Sequence, residues 1–309
     1  MIENVVSIKL PVDEELRVQK NRIAPEGVGP DAKRICIVTG THGDELEGQL
    51  VCFELARFLK ANMQHLKGIV DIYPALNPLG IDSITRGIPG FDLDMNRTFP
   101  GRKDGSMPEY IASEIFNDIA GADVCIDIHA SNIFLREIPQ IRINELTAEE
   151  LVPLARYMNV DFVWVHSAAT VLESTLAYSL NMVGTKTLVA EMGVGMRLTI
   201  EYGNQLSKGI ISLMAHLGMW DGPVPYVREP IVSVDGKVEY INAAKGGIFV
   251  PRIEHWRGVR QGEHLGDIVS PMTGEVLVKV ESPCDGLVFT LREYPVVDEG
   301  SLIARILRE

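Results

Sequence analysis

The stretch Arg34-Ile-Cys-Ile-Val-Thr-Gly40-Thr-His42-Gly-Asp-Glu45-Leu-Glu-Gly48 decides how this chain is read. From Arg34 to Gly40 apolar residues follow one another without polar alternation, the pattern of a strand buried on both faces. From Glu47 to Lys60 they recur at helical spacing, which predicts a helix directly after it. His42 and Glu45 therefore stand at the carboxyl end of a buried strand, where open α/β sheets build their sites.

Working outward, Ile69 to Ala75, Asp123 to Ile128, Phe162 to His166 and Thr187 to Glu191 read as further strands. Helical spacing covers Pro108 to Ile119, with a proline suited to the first turn, then Leu172 to Leu180 and Glu201 to Leu217. Strands separated by helices imply a largely parallel sheet with helices on both faces, an α/β layer sandwich. The long irregular stretch from Asn77 to Met107 holds Arg86, Asp94, Asn96 and Arg97, and reads as a functional loop. After Met219-Trp-Asp-Gly-Pro-Val-Pro225 the character changes: Asp235-Gly236, Gly246-Gly247, Thr273-Gly274, Asp285-Gly286 and Glu299-Gly300 are closely spaced turn signals. They predict a small all-β module over 223–309, following an α/β domain over 1–222.

At 309 residues the chain exceeds one ordinary domain, and 46% apolar with 23% charged residues is a soluble, globular composition. A net charge of −13 argues against a nucleic-acid binder, which would need cations to neutralise phosphates. It leaves room for a small anionic substrate, because a few arginines focused in a cleft reverse the local potential. Cys36, Cys52, Cys125 and Cys284 show no paired spacing and read as free thiols. No apolar run approaches the ~20 residues of a membrane helix, and the amino terminus lacks a basic region followed by an apolar core. A cytoplasmic protein without membrane partners is expected, with homo-oligomerisation left open.

The chemistry rests on three strand ends. His42 and Glu45 leave the first strand, His129 ends the run Asp127-Ile-His129, and Glu191 ends Thr-Leu-Val-Ala-Glu191-Met-Gly193. Two imidazoles and a carboxylate with a free fourth position form a catalytic zinc set, which acidifies water. Alone, His-x-x-Glu also fits a solvated turn, and a histidine after a buried strand also fits a satisfied core edge. Their joint placement is what favours a metal. Glu191 suits a base that takes a proton from water and returns it to a leaving amine, and equally a solvent-facing acid. Arg86 and the Asn96-Arg97 pair suit an anion clamp and a group that stabilises charge on a carbonyl oxygen, though surface arginines are common.

Together Thr-His42-Gly-Asp-Glu45-x-x-Gly48, Phe-Asp-Leu-Asp94-Met-Asn96-Arg97-Thr-Phe-Pro-Gly101, Asp127-Ile-His129 and Glu191-Met-Gly193 resemble the succinylglutamate desuccinylase and aspartoacylase family, a branch of the zinc carboxypeptidase superfamily. The resemblance implies a three-layer α/β/α zinc-carboxypeptidase-like core with a mostly parallel mixed sheet, and an amidohydrolase that removes an acyl group from a small N-acylated amino acid or related amine. It places one zinc ion per chain on His42, Glu45 and His129, the general base on Glu191, carboxylate binding on Asn96 and Arg97, carbonyl polarisation on Arg86, and orientation of a ligand imidazole on Asp94. Tyr294 is, by location, the counterpart of a tyrosine that aspartoacylases contribute from the carboxyl-terminal domain. The same chemistry serves a metallocarboxypeptidase acting on a peptide terminus, and a binding protein with a vestigial metal site is the reading from another class. A second resemblance covers Gly262-Glu-His-Leu-Gly-Asp-Ile-Val, Ser282-Pro-Cys-Asp-Gly286-Leu-Val and Val297-Asp-Glu-Gly300, which is similar to the barrel-sandwich pattern of biotinyl and lipoyl carriers. Lys279 lacks the setting of a modified lysine, so an unmodified β-domain that narrows the cleft is expected.

Overall fold

The computed structural model describes residues 1–29, 31–166 and 173–309. A hairpin of β1 (Ile2–Lys9) and β2 (Glu15–Ile23) precedes β3 (Arg34–Thr39), α1 (Glu47–Ala61), β4 (Ile69–Tyr73), α2 (Pro78–Ser83), α3 (Met107–Ile119) and β5 (Val124–Ala130). Next come β6 (Leu135–Asn144), α4 (Ala148–Ala155), β7 (Phe162–His166), α5 (Leu176–Met182), β8 (Lys186–Gly193) and α6 (Ile200–His216). The remainder is all strand: β9 (Ile231–Val234), β10 (Val238–Asn242), β11 (Gly247–Pro251), β12 (Arg257–Val259), β13 (His264–Val269), β14 (Val276–Glu281), β15 (Gly286–Arg292), β16 (Val296–Val297) and β17 (Leu302–Arg308).

Among the described residues the strands form a large mixed sheet, with the order β1-β2-β4-β3-β5-β8-β6-β15-β17-β10 along its main path, and a small antiparallel sheet, β14-β13-β11-β16. The central β4, β3, β5 and β8 are parallel; β2 joins β4, and β6 joins β8, antiparallel, while β7 and β9 branch from β6 in parallel pairing. The missing alternation in β3 has a direct cause. Ile35 and Ile37 pack with Val51, Leu55 and Leu59 of α1 and with Leu206 and Ile210 of α6. Cys36 and Val38 pack on the other face with Ile111 and Ile115 of α3 and with Leu176 and Leu180 of α5. Helices therefore cover both faces, and each fully buried leucine of α1 contributes roughly 2 kcal/mol of burial.

The connection from β3 to β4 runs through α1 on one face, and that from β4 to β5 through α3 on the other. The carboxyl ends of β3 and β5 thus flank a topological switch point, where a crevice opens. The carboxyl-terminal strands continue this sheet: β15 pairs antiparallel with β6, and β9 pairs parallel with β7.

The stretch from Asn77 to Met107 is more regular than expected. Asn77 caps α2 by accepting from the Gly80 N–H, and Pro78 takes the first turn, so an Asn-Pro pair that resembles loop chemistry opens a helix. Helix α5 begins at Leu176, and the expected start at Leu172 lies outside the described residues. The hairpin β1–β2, strand β6 and helix α4 correspond to nothing in the sequence reading. Cys36, Cys52 and Cys125 are buried free thiols, and Cys284 is a partly buried one. Among the described residues no helix is long and apolar enough to cross a membrane.

Candidate active site

After β3 the chain runs so close to α2 that a Cβ on Gly43 would lie 1.9 Å from the Gly80 carbonyl carbon. Glycine is required there, and the tight loop turns His42 and Glu45 inward, where both are buried. His129 is the penultimate residue of β5, and the register of β5 with β8 sets Glu191 beside it.

The His42 Nδ1 atom lies 2.7 Å from Glu45 Oε1, and His129 Nδ1 lies 2.9 Å from Glu45 Oε2. Potential ligand atoms of the three residues all fall within 4.8 Å of one another, a spacing that a single metal ion could bridge. The outer nitrogens face aspartates. His42 Nε2 is 3.0 Å from Asp94 Oδ1, and His129 Nε2 is 3.2 Å from Asp127 Oδ1 without hydrogen-bond alignment. Each imidazole thus turns one nitrogen to the centre and the other to a carboxylate, the arrangement that fixes a tautomer and strengthens a ligand.

The electrostatics favour positive charge at this point. Burial resists protonation of His129, but Asp127 and Glu45 outweigh it and hold the imidazole well above its ordinary range. His42 is raised in the same way by Glu45 and Asp94 against burial. Burial pushes the Glu45 carboxyl up, while the two imidazoles bring it far below the usual carboxylate range. Asp127 is buried, and neither carboxylate oxygen has a hydrogen-bond partner among the described residues. Protons on the imidazoles or a divalent cation between them would each supply what these carboxylates lack.

A cavity of about 510 Å³ opens beside this cluster. His42, Glu45, His129, Glu191, Arg86, Asn96 and Arg97 all line it, and Asp94 stands behind His42. The Arg86 guanidinium donates to Glu45 Oε1 at 2.8 Å and to Asp94 Oδ2 at 3.4 Å. Asn96 Oδ1 accepts from the Leu176 N–H at the start of α5, which orients its amide. Arg97 is exposed, donates to the Asn96 carbonyl, and has no carboxylate partner among the described residues. Glu191 meets Arg142 at 3.2 Å, and burial pushes its carboxyl up to about 7 against the pull of Arg142.

The loop after β8 is tied to the loop after β3. The Met196 N–H donates to the Asp44 carbonyl, and Glu47 accepts from the backbone and hydroxyl of Thr199 at 2.7 Å each. Gly193 has φ +68°, and a Cβ there would strike the Glu47 carboxylate, so the loop closes only over glycine. Tyr294 packs edge-on against Phe134, which lines the cavity.

Several residues escaped the sequence reading. Asp127 stood in a quoted motif without a role, although its two-residue spacing from His129 on one strand face was a usable signal. Glu137, Arg142 and Arg305 also line the cavity. The first two lie on β6, where Pro139 and several charges hide the strand pattern; Pro139 falls at a register shift between Glu137 and Gln140, where a proline is tolerated.

Fold and site together define a class, a layered α/β protein whose switch point carries a His-Glu-His cluster that could hold a metal ion. Residues 31–217 match the succinylglutamate desuccinylase/aspartoacylase catalytic domain, and the chain belongs to that family. It is 25% identical over 293 residues to N-alpha-acetyl-L-2,4-diaminobutyric acid deacetylase from Halomonas elongata, covering 92% of this chain and 84% of that protein. The product-bound ectoine utilization protein EutE (DoeB) from Ruegeria pomeroyi superposes with a TM-score of 0.83 at 21% identity, over 100% of this chain and 95% of the other. A succinylglutamate desuccinylase/aspartoacylase from Rhodobacter sphaeroides gives 0.82 at 22% identity, over 100% and 96%.

Proposed function

We propose that the chain is a zinc-dependent amidohydrolase that removes an acyl group from a small N-acylated amino acid. The observation that carries this is the convergence of two imidazole Nδ1 atoms on the two oxygens of Glu45, at the wall of a cavity that also holds Glu191. Membership of a family of deacylases and likeness to a deacetylase support it. His42, Glu45 and His129 would hold zinc, the ion that two nitrogens and one carboxylate suit, with Asp94 and Asp127 orienting the rings. Bound there, zinc would acidify water and draw electron density from the acyl carbonyl.

The chain's own residues account for the rest. Glu191, its carboxyl raised by burial, takes a proton from water and returns it to the departing nitrogen. Arg97, without a carboxylate of its own, takes the carboxylate of the amino acid, with the Asn96 amide beside it. Arg86 supports the oxygen of the scissile carbonyl from the side of Glu45. A cavity of about 510 Å³, to which the carboxyl-terminal strands contribute Arg305, admits a small acylated amino acid more readily than a peptide tail.

The test is a panel of N-acyl amino acids, N-acetyl and N-succinyl among them, assayed for amine release by zinc-loaded protein. Release from at least one acylated amino acid, with one zinc per chain, is expected. Purified protein that takes up no zinc, or that cleaves only peptide carboxyl termini, would overturn the assignment.

A further inference from the structure

Four side chains of alternating charge run through the cavity wall, from β8 across β6 to β17. Glu191 Oε1 accepts from Arg142 Nη1 at 3.2 Å. Arg142 Nη2 donates to Glu137 Oε2, and the other oxygen of Glu137 accepts from Arg305 Nη1. Glu137 also accepts from Gln140 at 3.0 Å and from Thr290 at 3.5 Å and is 1% exposed, so its bonding capacity is filled. The indole of Trp164 on β7 lies 5.6 Å from the Arg142 guanidinium and 5.5 Å from that of Arg305, which fixes the spacing of the two cations.

We propose that Arg142 is the positioning residue of the Glu191 carboxylate, and that Arg305, from the carboxyl-terminal strands, sets the strength of that hold through Glu137. The proposal rests on Glu191 being the base. A carboxylate that takes and returns a proton needs one oxygen fixed and the other open to the cavity. Among the described residues, Arg142 is the side chain that hydrogen-bonds Glu191, and it does so at one oxygen.

A guanidinium facing Glu191 alone would hold it as a tight ion pair and make it a poor base. Glu137 competes for Arg142, and Arg305 in turn takes up part of the Glu137 charge. The hold on Glu191 therefore depends on a residue three contacts away, on a carboxyl-terminal strand of the same sheet. The other charged groups near Glu191 are His129 on β5 and Glu45 on the loop after β3. Arg305 leaves both untouched, so its removal reaches Glu191 through Glu137 and Arg142.

The test compares Arg305→Met, Arg305→Lys and the double variant Glu137→Gln/Arg305→Met with the wild-type zinc enzyme. In Arg305→Met, Glu137 draws Arg142 away from Glu191. The expected result is a fall in kcat on the order of tenfold with KM within about twofold, since orientation alone is disturbed. Zinc content stays unchanged, and the acid limb of kcat/KM moves to higher pH.

The double variant leaves no competitor for Arg142, so the limb moves to lower pH. Arg305→Lys, which keeps the charge, restores most of the shift. A role confined to folding predicts no movement in opposite directions, and limbs that stay in place in both Met-containing variants overturn the proposal. The double variant buries no unpaired charge at Glu137, and it carries the test if Arg305→Met does not fold.

A wild-type protein that releases no amine from the panel would count against the deacylase reading instead. The present inference is then read without turnover, from a crystal structure of whichever of the two Met-containing variants folds. In Arg305→Met, an Arg142–Glu191 separation beyond the 3.2 Å of the wild type supports it, and an unchanged contact overturns it. In the double variant an undivided contact at or below that distance supports it, and a lost contact overturns it.

Discussion

The sheet buries two clusters of charge, one at the amino end of β3 and one beyond its carboxyl end, and they are finished differently. At the amino end every charged group has found its partner. Arg22 forks onto both oxygens of Asp71 at 2.8 and 2.7 Å, and Lys20 bridges both oxygens of Asp118 at 2.8 Å. Tyr73 donates to Asp118 at 2.6 Å, and Arg34 satisfies the carbonyls of residues 118, 119 and 120. At the carboxyl end neither Asp127 oxygen has a hydrogen-bond partner among the described residues, His129 Nε2 faces it at 3.2 Å without alignment, and a cavity opens alongside. The closed network is a structural joint. The open one could take a ligand, because buried polar atoms without hydrogen-bond partners are costly and persist where something else completes them.

The comparison breaks most directly at Glu191. Glu191→Gln keeps the side chain's shape and its acceptor oxygen but cannot take a proton. A loss of about 10²- to 10⁴-fold in kcat is expected, the usual worth of a positioned acid–base group. Zinc content and thermal midpoint should match the wild type. The acid limb of kcat/KM, expected near pH 7 because burial pushes the carboxyl up to about 7, should vanish from the residual rate. The sign is fixed by the role: activity needs the carboxylate and falls as pH drops through that value. A Gln variant with ordinary turnover would remove the base from the open cluster.

At the other end, Asp71→Asn should leave the rate per folded molecule unchanged and lower stability. Asp71 is fully buried and faces three cations, although Arg22 is about one-third exposed and some of its charge is screened by water. A loss of about 3 kcal/mol in urea unfolding is expected, at the low end for a broken buried pair. An equal loss of kcat would erase the distinction between the two clusters.

Asp127→Asn sharpens the comparison within the open cluster. The amide keeps the shape but brings no charge to face His129, so zinc affinity measured by chelator competition should fall about 10- to 100-fold. Stability of the metal-free protein should fall, because the charge that faces the raised His129 imidazole is removed.

Much of the open cluster was legible in the sequence because its members sit at strand ends that betray themselves. Ile35 to Val38 bury both faces of β3, so the strand shows as an unbroken apolar run, and His42 and Glu45 stand just past it. The layered core and the all-β remainder followed from the same periodicities. The closed cluster was hidden by its own success. Lys20 occupies a buried position in the alternation Leu16, Val18, Lys20, so β2 loses its apolar row at the point where the ion pairs form. Glu137 and Arg142 interrupt β6 for the same reason, and Arg305 is more than a hundred residues from its partner in the chain. Charge pairs that replace apolar burial erase the pattern from which strands are read.

The smallest expected effect concerns acid, and it separates the clusters without touching catalysis. Burial raises the Asp71 carboxyl, but Arg22, Lys20 and Arg34 outweigh it and hold it below the usual carboxylate range. A group with a depressed folded value contributes its stability fully above its unfolded value of about 3.9 and loses it as pH falls through the folded one. The difference in unfolding free energy between wild type and Asp71→Asn should therefore be constant from pH 7 to about 5 and shrink toward zero below about pH 4. A difference that persists undiminished well below that pH would mean that the amide disturbs packing at Cys36 and Tyr73, and that charge is not what closes this end of the sheet.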